Sequence, residues 1–532
     1  MRHLPILVIL ILAFSVPQFA QTVNYSEHIA PIIYKNCTTC HREGEVAPMP
    51  LTSYEEVKNW SNMIQYVTSI KYMPPWKPNP NYSKFLGENF LTNNEIKLIA
   101  DWVEAGTPQG DPSKEPPLPF FPDGSQLGEP DLVLSFDQSF LHKGNGEDDY
   151  RIFVLPTGLT EDKSLAAIEL RPGNRNIVHH ALFTYDITGR AQARDAQDSQ
   201  YGYNGFGGFG VSDNPLDQLD QVQFPGYVPG QKVRFYPKGI GQKLPANSDL
   251  LIQMHYAPIA NDQTDSSTVN IFFKEETVQR EVQAAYLVPL PNIIVNGPFF
   301  IRPNEVKRFE CRITLNKKVS LISITPHMHL LGRDWEVYAQ RPNGERVPLI
   351  KIDDWDFNWQ GSYYFDRFIV LEPGTTIHAF ATYDNTSDNP FNPNSPPQLM
   401  TWGEKTSDEM FYLPITYVDY QEGDEEVVFE EDQTTSTEEI ELIYPKTKLY
   451  PIYPNPTSDQ ITVGFSLAKG SSVSLQISDL NGRLLKIINE KVFYPIGQHQ
   501  LQVNTNQLTN GNYVLTLIGE DFKISEQFQV VH

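Results

Sequence analysis

The chain has little cysteine and little positive charge. Three cysteines, Cys37, Cys40 and Cys311, occur among 532 residues, which excludes a framework of several disulfides. Cys311 alternates with apolar neighbours in FECRITL, so we expect a buried strand thiol. Lys and Arg number 41 against 65 Asp and Glu, a net charge of −24. Such a chain repels phosphate backbones, and we therefore expect no nucleic-acid partner.

Long apolar runs are missing after the first 20 residues, so no later segment is expected to span a membrane. The start, MRHLPILVILILAFSVPQFA, has a basic end, an apolar core and the small residue Ala20, as is typical of an export signal over residues 1–20. A membrane anchor is the alternative, but the apolar core is shorter than the roughly 20 residues that a spanning helix needs. The sequence therefore predicts an exported protein.

Short β-prone runs between Gly, Pro, Asn and Asp turns predict a multidomain, mainly β protein. Helical periodicity is confined to residues 21–112, where Thr92 and Glu95 form a capping box and Gly106 is a plausible helix stop. The predicted order after that helical domain is a proline-rich linker at 113–127, jelly-roll-like β-sandwiches at 128–287 and 288–430, an acidic and Thr-rich linker at 431–448, and a small immunoglobulin-like sandwich at 449–532.

The segment CTTCH places Cys37, Cys40 and His41 in the CxxCH pattern that attaches haem c covalently and supplies an axial histidine. A structural zinc site is the alternative, but no further cysteine or second histidine pair lies nearby. We expect Met73, in YMPPW, to be the opposite axial ligand. Two other methionines compete for that role, Met49 and Met63. With MPPW and IADWVEAGTPQGDP, this motif resembles a class I-type cytochrome c over about 90 residues. The resemblance implies an electron-carrying domain with its own redox partner.

Five histidines of the sandwich region fall in the motifs VHHALF, LLIQMHYAP and HMHLLGR. His327 and His329 leave the same face of a strand, a spacing that can chelate a metal, although a pair of ordinary strand histidines is the alternative. His179 and His180 are adjacent, so both can reach one ion only at a bulge or a strand end. Taken singly, His255 is read as a core histidine; Met410, in EKTSDEMF, is likewise read as a core methionine.

The order VHHALF, LLIQMHYAP, HMHLLGR and DEM resembles the copper type II, ascorbate-dependent monooxygenases, which include peptidylglycine α-hydroxylating and dopamine β-hydroxylating enzymes. The likeness covers about 300 residues, from roughly 128 to 430. It implies that one copper is held by three imidazoles, those of His179, His180 and His255. It implies that a second, oxygen-binding copper is held by the catalytic residues His327, His329 and Met410, since thioether sulfur favours Cu(I).

The resemblance implies a secreted monooxygenase that inserts one atom of O2 into a C–H bond of a small organic substrate. The other atom leaves as water, both coppers are reduced first by ascorbate, and the all-histidine copper delivers its electron across an open cleft. The fused c-type haem is a second candidate donor. One alternative is a surface haem and copper protein that transfers electrons or holds copper without turnover. Another is an adhesive module whose histidines are incidental.

The sequence departs from the peptide-amidating members at the residues that anchor a substrate carboxylate. The matching positions are Thr325, Tyr412 and Pro414, so that anchor is missing. Three further histidines are expected to be structural, His28, His142 and His378. The C-terminal YPNPTSD, the turn at Gly482-Arg483 and LTNGNYVLTL resemble the sorting domain of type IX secretion substrates. That likeness implies handling by the type IX machinery and release or attachment at the cell surface; an immunoglobulin-like binding module is the alternative.

Overall fold

The computed structural model describes residues 23–119, 121, 124–206, 208–211, 223–429, 447–450, 452, 455–467, 471–480, 483–494, 497–519 and 522–531. The predicted signal at 1–20 and residues 431–446 of the predicted second linker lie outside this part of the chain. No helix within it is long and apolar enough to cross a membrane. The described chain is mainly β, as the sequence predicts, with helices concentrated before residue 105.

The helical module, residues 23–106, begins with a π-helical turn, Tyr25–Ile29. Its helices are α1 (Ala30–Asn36), α2 (Tyr54–Asn59), α3 (Ser61–Ser69) and α4 (Asn93–Glu104). The predicted capping box of α4 is confirmed: Thr92 Oγ1 accepts the Glu95 N–H at 3.2 Å, and the Glu95 carboxylate accepts the Thr92 N–H at 2.7 Å. Apolar side chains of the module pack around the fully buried Ile99 and Trp102.

The first sandwich consists of two five-stranded sheets, β1-β11-β4-β8-β12 and β6-β3-β9-β5-β7, and a short ribbon of β2 with β10. Its elements are β1 (Leu132–Ser135), β2 (Phe140–His142), β3 (Asp149–Pro156), β4 (Lys163–Arg171), β5 (Val178–Asp186), α5 (Arg190–Asp195), β6 (Tyr203–Asn204), β7 (Phe224–Tyr227), β8 (Ile240–Leu244), β9 (Asp249–Tyr256), β10 (Gln263–Asp265), β11 (Thr268–Phe273) and β12 (Arg280–Glu281). Every residue of β9 is buried, because this central strand is covered on both faces.

The second sandwich consists of two four-stranded sheets, β13-β22-β16-β19 and β15-β20-β17-β18, and a ribbon of β14 with β21. Its strands are β13 (Gln283–Leu287), β14 (Phe300–Ile301), β15 (Glu305–Thr314), β16 (Val319–Ile324), β17 (Gly332–Gln340), β18 (Arg346–Ile352), β19 (Tyr363–Leu371), β20 (Thr376–Asn385), β21 (Met400–Thr401) and β22 (Leu413–Asp419). β13 precedes the predicted boundary at 288 but pairs with β22, so we place the boundary before Gln283.

The two sandwiches are joined by apolar contacts. Side chains from β16, β19 and β22 of the second sandwich, including Ile322, Phe368 and Val418, pack into the core cluster of the first. Arg280 of β12 also donates to the Asp424 carboxylate beyond β22 at 2.6 Å. Because this interface is apolar and continuous, the two sandwiches form one packed body.

The helical module is joined to the second sandwich by residues 76–88. Phe85 is buried in the core of that sandwich and stacks on Phe365, with 5.4 Å between ring centroids. The Asn79 N–H donates to the Lys351 carbonyl at 2.7 Å. These contacts explain why this stretch lacks helical periodicity, because its apolar residues pack against a neighbouring sheet.

The C-terminal module has seven described strands, in sheets β23-β24-β27 and β26-β25-β28-β29 around a core of its own. They are β23 (Lys448–Leu449), β24 (Gln460–Leu467), β25 (Ser471–Asp479), β26 (Leu484–Tyr494), β27 (Gly497–Asn504), β28 (Gly511–Ile518) and β29 (Lys523–Val530). This matches the small sandwich that the alternating pattern predicts.

Candidate metal centre

Three imidazoles converge where β5 and β9 pair. The Nδ1 atom of His179 lies 3.2 Å from Nδ1 of His180 and 3.2 Å from Nδ1 of His255. The third side of the triangle, between Nδ1 of His255 and Nδ1 of His180, is 3.4 Å. The pairing of β5 with β9 shifts register between Val178 and His180, which is the bulge that adjacent histidines require if both are to face one point.

The size of this triangle fits a metal ion. Two nitrogens bound at about 2.0 Å with a tetrahedral angle between them are separated by about 3.3 Å. The three observed separations, 3.2, 3.2 and 3.4 Å, equal that edge within 0.1 Å. Hydrogen bonds alone do not explain three ring nitrogens facing one another, because each neutral imidazole has a single N–H to donate. We call His179, His180 and His255 the histidine triangle.

Two residues fix the orientation of His255. Its Nε2 atom lies 2.7 Å from Oδ1 of Asp148, and its ring stacks on Tyr150 with centroids 4.2 Å apart and an interplanar angle of 6°. A carboxylate on Nε2 holds the proton there and leaves the lone pair on Nδ1, which points to the centre of the triangle. The arrangement therefore matches a metal-bound histidine with a carboxylate behind it.

The second group, His327, His329 and Met410, is built on irregular backbone. β16 ends at Ile324, so the predicted strand does not continue through HMH; His327 instead forms an isolated bridge with Tyr412. The predicted alternation holds nevertheless, because Met328 is fully buried in the apolar core while both histidines line a cavity. Met410 lies just before β22 and lines the same cavity, so the three predicted residues share one cavity.

A buried carboxyl connects this group. Glu409 Oε1 accepts the backbone N–H of His329 at 2.6 Å and that of Met410 at 2.8 Å, and Oε2 accepts the Leu331 N–H at 2.9 Å. Burial raises the pKa of the Glu409 carboxyl to about 8, although the three N–H donors oppose that rise. Glu409 thus fixes the distance between the HMH segment and Met410.

The two groups lie side by side, where the resemblance implied an open cleft between them. The rings of His180 and His327 have centroids 6.4 Å apart. Phe357 stacks on His179 at 5.3 Å and meets His329 edge-on at 5.7 Å. The cavity, of about 220 Å³, is lined by His180 together with all three members of the second group. The groups are close because the second sandwich packs against the core of the first.

Four of the five histidines in the two groups have lowered pKa values. Burial, reinforced by neighbouring imidazoles, lowers the pKa of His179 to about 4 and the pKa values of His180 and His327 well below the usual imidazole value. Burial also lowers the pKa of His329 to about 4, although its hydrogen bond to the Asp408 carbonyl opposes the shift. A neutral imidazole keeps a lone pair for a metal, so all four are ready to bind one.

The remaining sites divide into structural residues and one candidate haem attachment. His142 and His378 have protein partners, with Nε2 of His142 2.9 Å from the Ala257 carbonyl and Nδ1 of His378 2.8 Å from the Glu310 carboxylate. His28 accepts the Asn24 N–H at 3.3 Å, and Cys311 is fully buried on β15. Cys311 is thus the buried strand thiol that the sequence predicts, whereas a structural role for the three histidines stays a prediction.

At the CxxCH motif, Cys37 and Cys40 are free thiols and His41 is buried. Nδ1 of His41 lies 3.1 Å from the Met49 carbonyl, which leaves Nε2 for an axial bond. Met63 is 48% exposed on α3, and Met49 packs against the apolar cluster of the helical module. Met73 is half-buried in the loop after α3, so its assignment as the opposite axial ligand stays a prediction.

Sequence reasoning gave no role to Asp148, Tyr150, Phe357 or Glu409. Asp148 and Phe357 stand in no motif with the histidines that they contact, and only the fold brings them there. Glu409 was part of the DEM signature, and its position between an acid and the methionine was the one available signal. A buried carboxyl group such as that of Glu409 requires hydrogen-bond partners, which here are three backbone N–H groups.

Two family models match the chain. Residues 303–440 match the copper type II ascorbate-dependent monooxygenase, C-terminal domain. Residues 451–531 match the secretion system C-terminal sorting domain, which indicates export followed by secretion or attachment at the cell surface. No curated protein matches the chain.

Among solved structures, peptide-N(4)-(N-acetyl-β-D-glucosaminyl) asparagine amidase is similar at 9% identity, over 55% of this chain and 96% of that one, with a TM-score of 0.23. PNGF-II in its C2 crystal form is similar at 13% identity, over 58% and 64%, with a TM-score of 0.24. Bacteroides uniformis β-glucuronidase 3 matches at 13% identity, over 42% of this chain and 27% of that one, with a TM-score of 0.11. Scores this low carry no argument about function.

Proposed function

Because this chain carries the C-terminal domain of the copper type II ascorbate-dependent monooxygenases and a secretion sorting domain, we propose that it is an exported dicopper monooxygenase. Its substrate is a small organic molecule, one C–H bond of which becomes C–OH. The observation that carries the proposal is the histidine triangle, with sides of 3.2 to 3.4 Å. One of its members, His180, lines the same cavity as His327, His329 and Met410.

The reaction consumes the substrate, O2, two electrons and two protons, and it yields the hydroxylated product and water. Copper held at the two groups would supply O2 activation and one-electron storage. The ligands that the chain would offer to copper are neutral and lie in two groups. Three imidazoles of the histidine triangle suit either copper oxidation state, whereas Met410 sulfur favours Cu(I) at the second group. Glu409 keeps Met410 beside His329, and Phe357 covers both groups from one side.

Ascorbate and a fused c-type haem are the two proposed electron donors. Cys37, Cys40 and His41 would hold the haem, with Met73 as the proposed opposite ligand, and a haem at this position would supply one-electron transfer. The free thiols and the His41–Met49 hydrogen bond fit such a group. A pyridine haemochrome spectrum of the full chain tests this directly. Cys37→Ser should change the spectrum to that of a haem with a single thioether bond.

The position of the CxxCH segment supports the haem as a donor to the coppers. Arg175, four residues before His179, donates to the Gly44 carbonyl at 2.7 Å and pairs with the Glu45 carboxylate at 2.6 Å. A Cβ on Gly230 would lie 3.1 Å from Cys40 Sγ, so the sulfur touches the loop that also lines the cavity. Stopped-flow mixing of the chain with a haem reductant, followed at the haem and copper absorption bands, tests this; haem reduction without copper reduction would count against it.

The function itself is tested by a product screen with ¹⁸O-labelled O2 and ascorbate. The full chain should form a product that gains one labelled oxygen, and the Met410→Ala variant should not. Stoichiometric copper with no labelled product from any substrate would favour the alternative, a haem and copper protein that transfers electrons without turnover. Absence of copper would favour the adhesive module.

A further inference from the structure

The described side chains of the cavity wall include no Lys or Arg that could bind an acidic substrate. Glu404 is the acid among the described lining residues, and it is partly exposed to solvent. Apart from copper at the two proposed groups, a charged substrate would therefore find no desolvated partner of opposite charge among the described side chains of this wall.

The neutral polar groups of the wall are largely satisfied by one another. Thr325 Oγ1 donates to Ser362 Oγ at 2.9 Å, and the Tyr412 hydroxyl donates to Gln223 Oε1 at 3.2 Å. Thr325 and Tyr412 are two of the positions at which peptide-amidating members anchor a carboxylate. In this chain they are paired within the protein and are not directed to a ligand.

The exception is Tyr286. Its hydroxyl is buried and has no hydrogen-bond partner, and among the described residues of the cavity wall no other buried side-chain nitrogen or oxygen is left in this state. Tyr286 lies on β13 directly opposite Pro414 of β22, and its ring stacks on Tyr412 with centroids 5.9 Å apart. Burial raises the pKa of Tyr286 to about 12, so the phenol is a neutral donor at physiological pH.

We propose that the substrate is an uncharged molecule with an acceptor oxygen, such as a carbonyl or ether, which accepts a hydrogen bond from the Tyr286 hydroxyl. A buried donor without a partner is costly, and a ligand acceptor removes that cost. The inference rests on the proposed function only in treating this cavity as the substrate site. Tyr286 is then the residue that selects uncharged acceptors, in place of the missing carboxylate anchor.

The test uses four probes of similar size: acetophenone, ethylbenzene, benzoate and benzylamine. Binding to the full chain as purified, without reductant, is followed by isothermal titration and by saturation-transfer NMR. We expect acetophenone to bind at least tenfold more tightly than the other three probes. Tyr286→Phe should weaken acetophenone about tenfold, the equivalent of one hydrogen bond, and leave ethylbenzene unchanged. The control is Tyr338→Phe, which removes a phenol from β17 of the same sandwich outside this cavity.

Tighter binding of benzoate or benzylamine than of acetophenone would overturn the inference, as would equal acetophenone affinity in the wild type and Tyr286→Phe. The outcome is separate from that of the hydroxylase test. Tyr286-dependent binding without any labelled product would contradict the proposed function and support the binding preference. Labelled product from charged substrates alone would support the proposed function and contradict the preference for uncharged molecules.

Discussion

The two histidine groups are built by different means, although they face one cavity. The histidine triangle stands on two paired strands, β5 and β9, and a single bulge turns adjacent side chains to one point. The second group lies on irregular backbone after the end of β16. Three hydrogen bonds to Glu409 hold this backbone in place, as strand pairing does for the histidine triangle. A regular sheet thus holds a fixed trio of nitrogens, whereas the methionine-bearing group depends on one carboxyl.

Met410→Ala should have the largest effect. Removal of the thioether takes away the soft ligand of the second group, so hydroxylation should fall by at least about a thousandfold, because a step that requires the second copper is lost. The triangle, on separate strands, should keep its copper. Labelled product formation and copper content are measured together, with Met63→Ala on the exposed face of α3 as the control. Unchanged turnover would contradict the assignment.

Glu409→Ala should break the second group while sparing the first. Three buried N–H donors would lose their acceptor, which should lower the free energy of unfolding by about 3 kcal/mol or more. Thermal unfolding and copper stoichiometry are the measurements, and Glu409→Gln, which keeps one acceptor oxygen, is the milder comparison. Equal loss of copper from both groups would show that they are not held independently.

Asp148→Ala should weaken copper binding at the histidine triangle more than at the second group. Without the carboxylate on Nε2, His255 loses its fixed tautomer, and copper affinity at the triangle should fall about 10- to 100-fold. Copper titration with an optical chelator gives the affinity of each site. We also expect a smaller loss of copper affinity at the second group. The reason is that Thr406 Oγ1, on the segment before Met410, donates to Asp148 at 3.1 Å. Unchanged copper affinity at the triangle would show that Asp148 does not orient His255 for metal binding.

The smallest expected effect concerns the interface that keeps the groups close. Burial alone would raise the pKa of Asp424, but hydrogen bonds from Arg280, Ser320 and the Gln421 N–H outweigh it and lower the pKa. The carboxylate therefore stabilises the fold above the unfolded pKa of about 3.9, and this stability is lost as the pH falls through the lower folded value. Asp424→Asn should cost about 1 to 3 kcal/mol at pH 7 and progressively less below pH ~4. A constant difference across that range would contradict the charge argument.

Much of the metal centre could be predicted from local spacing. The HxH alternation places His327 and His329 on one side whether or not the strand continues, and adjacent histidines imply the bulge found at His180. The separation of the two groups could not be predicted, because it depends on how the faces of two sandwiches pack. Asp148 is 107 residues from His255, and no sequence pattern links them.

The helical module shows the same limit. Its helices and the capping box at Thr92 followed from periodicity, since these depend on neighbours three and four residues apart. The burial of Phe85 in the second sandwich and the contact of Arg175 with Glu45 join residues far apart in the chain. These contacts fix the module against the rest of the protein. From the sequence alone, the module would be predicted to be a domain attached only by a linker.

Copper X-ray absorption on the reduced full chain tests the central claim most directly. Two coppers per chain should bind, with imidazole nitrogen at about 2.0 Å around both. One sulfur neighbour should be found for every two coppers, bound to one of them only, and Met410→Ala should remove it. A single copper, or two coppers with nitrogen and oxygen neighbours but no sulfur, would contradict two distinct sites on one cavity.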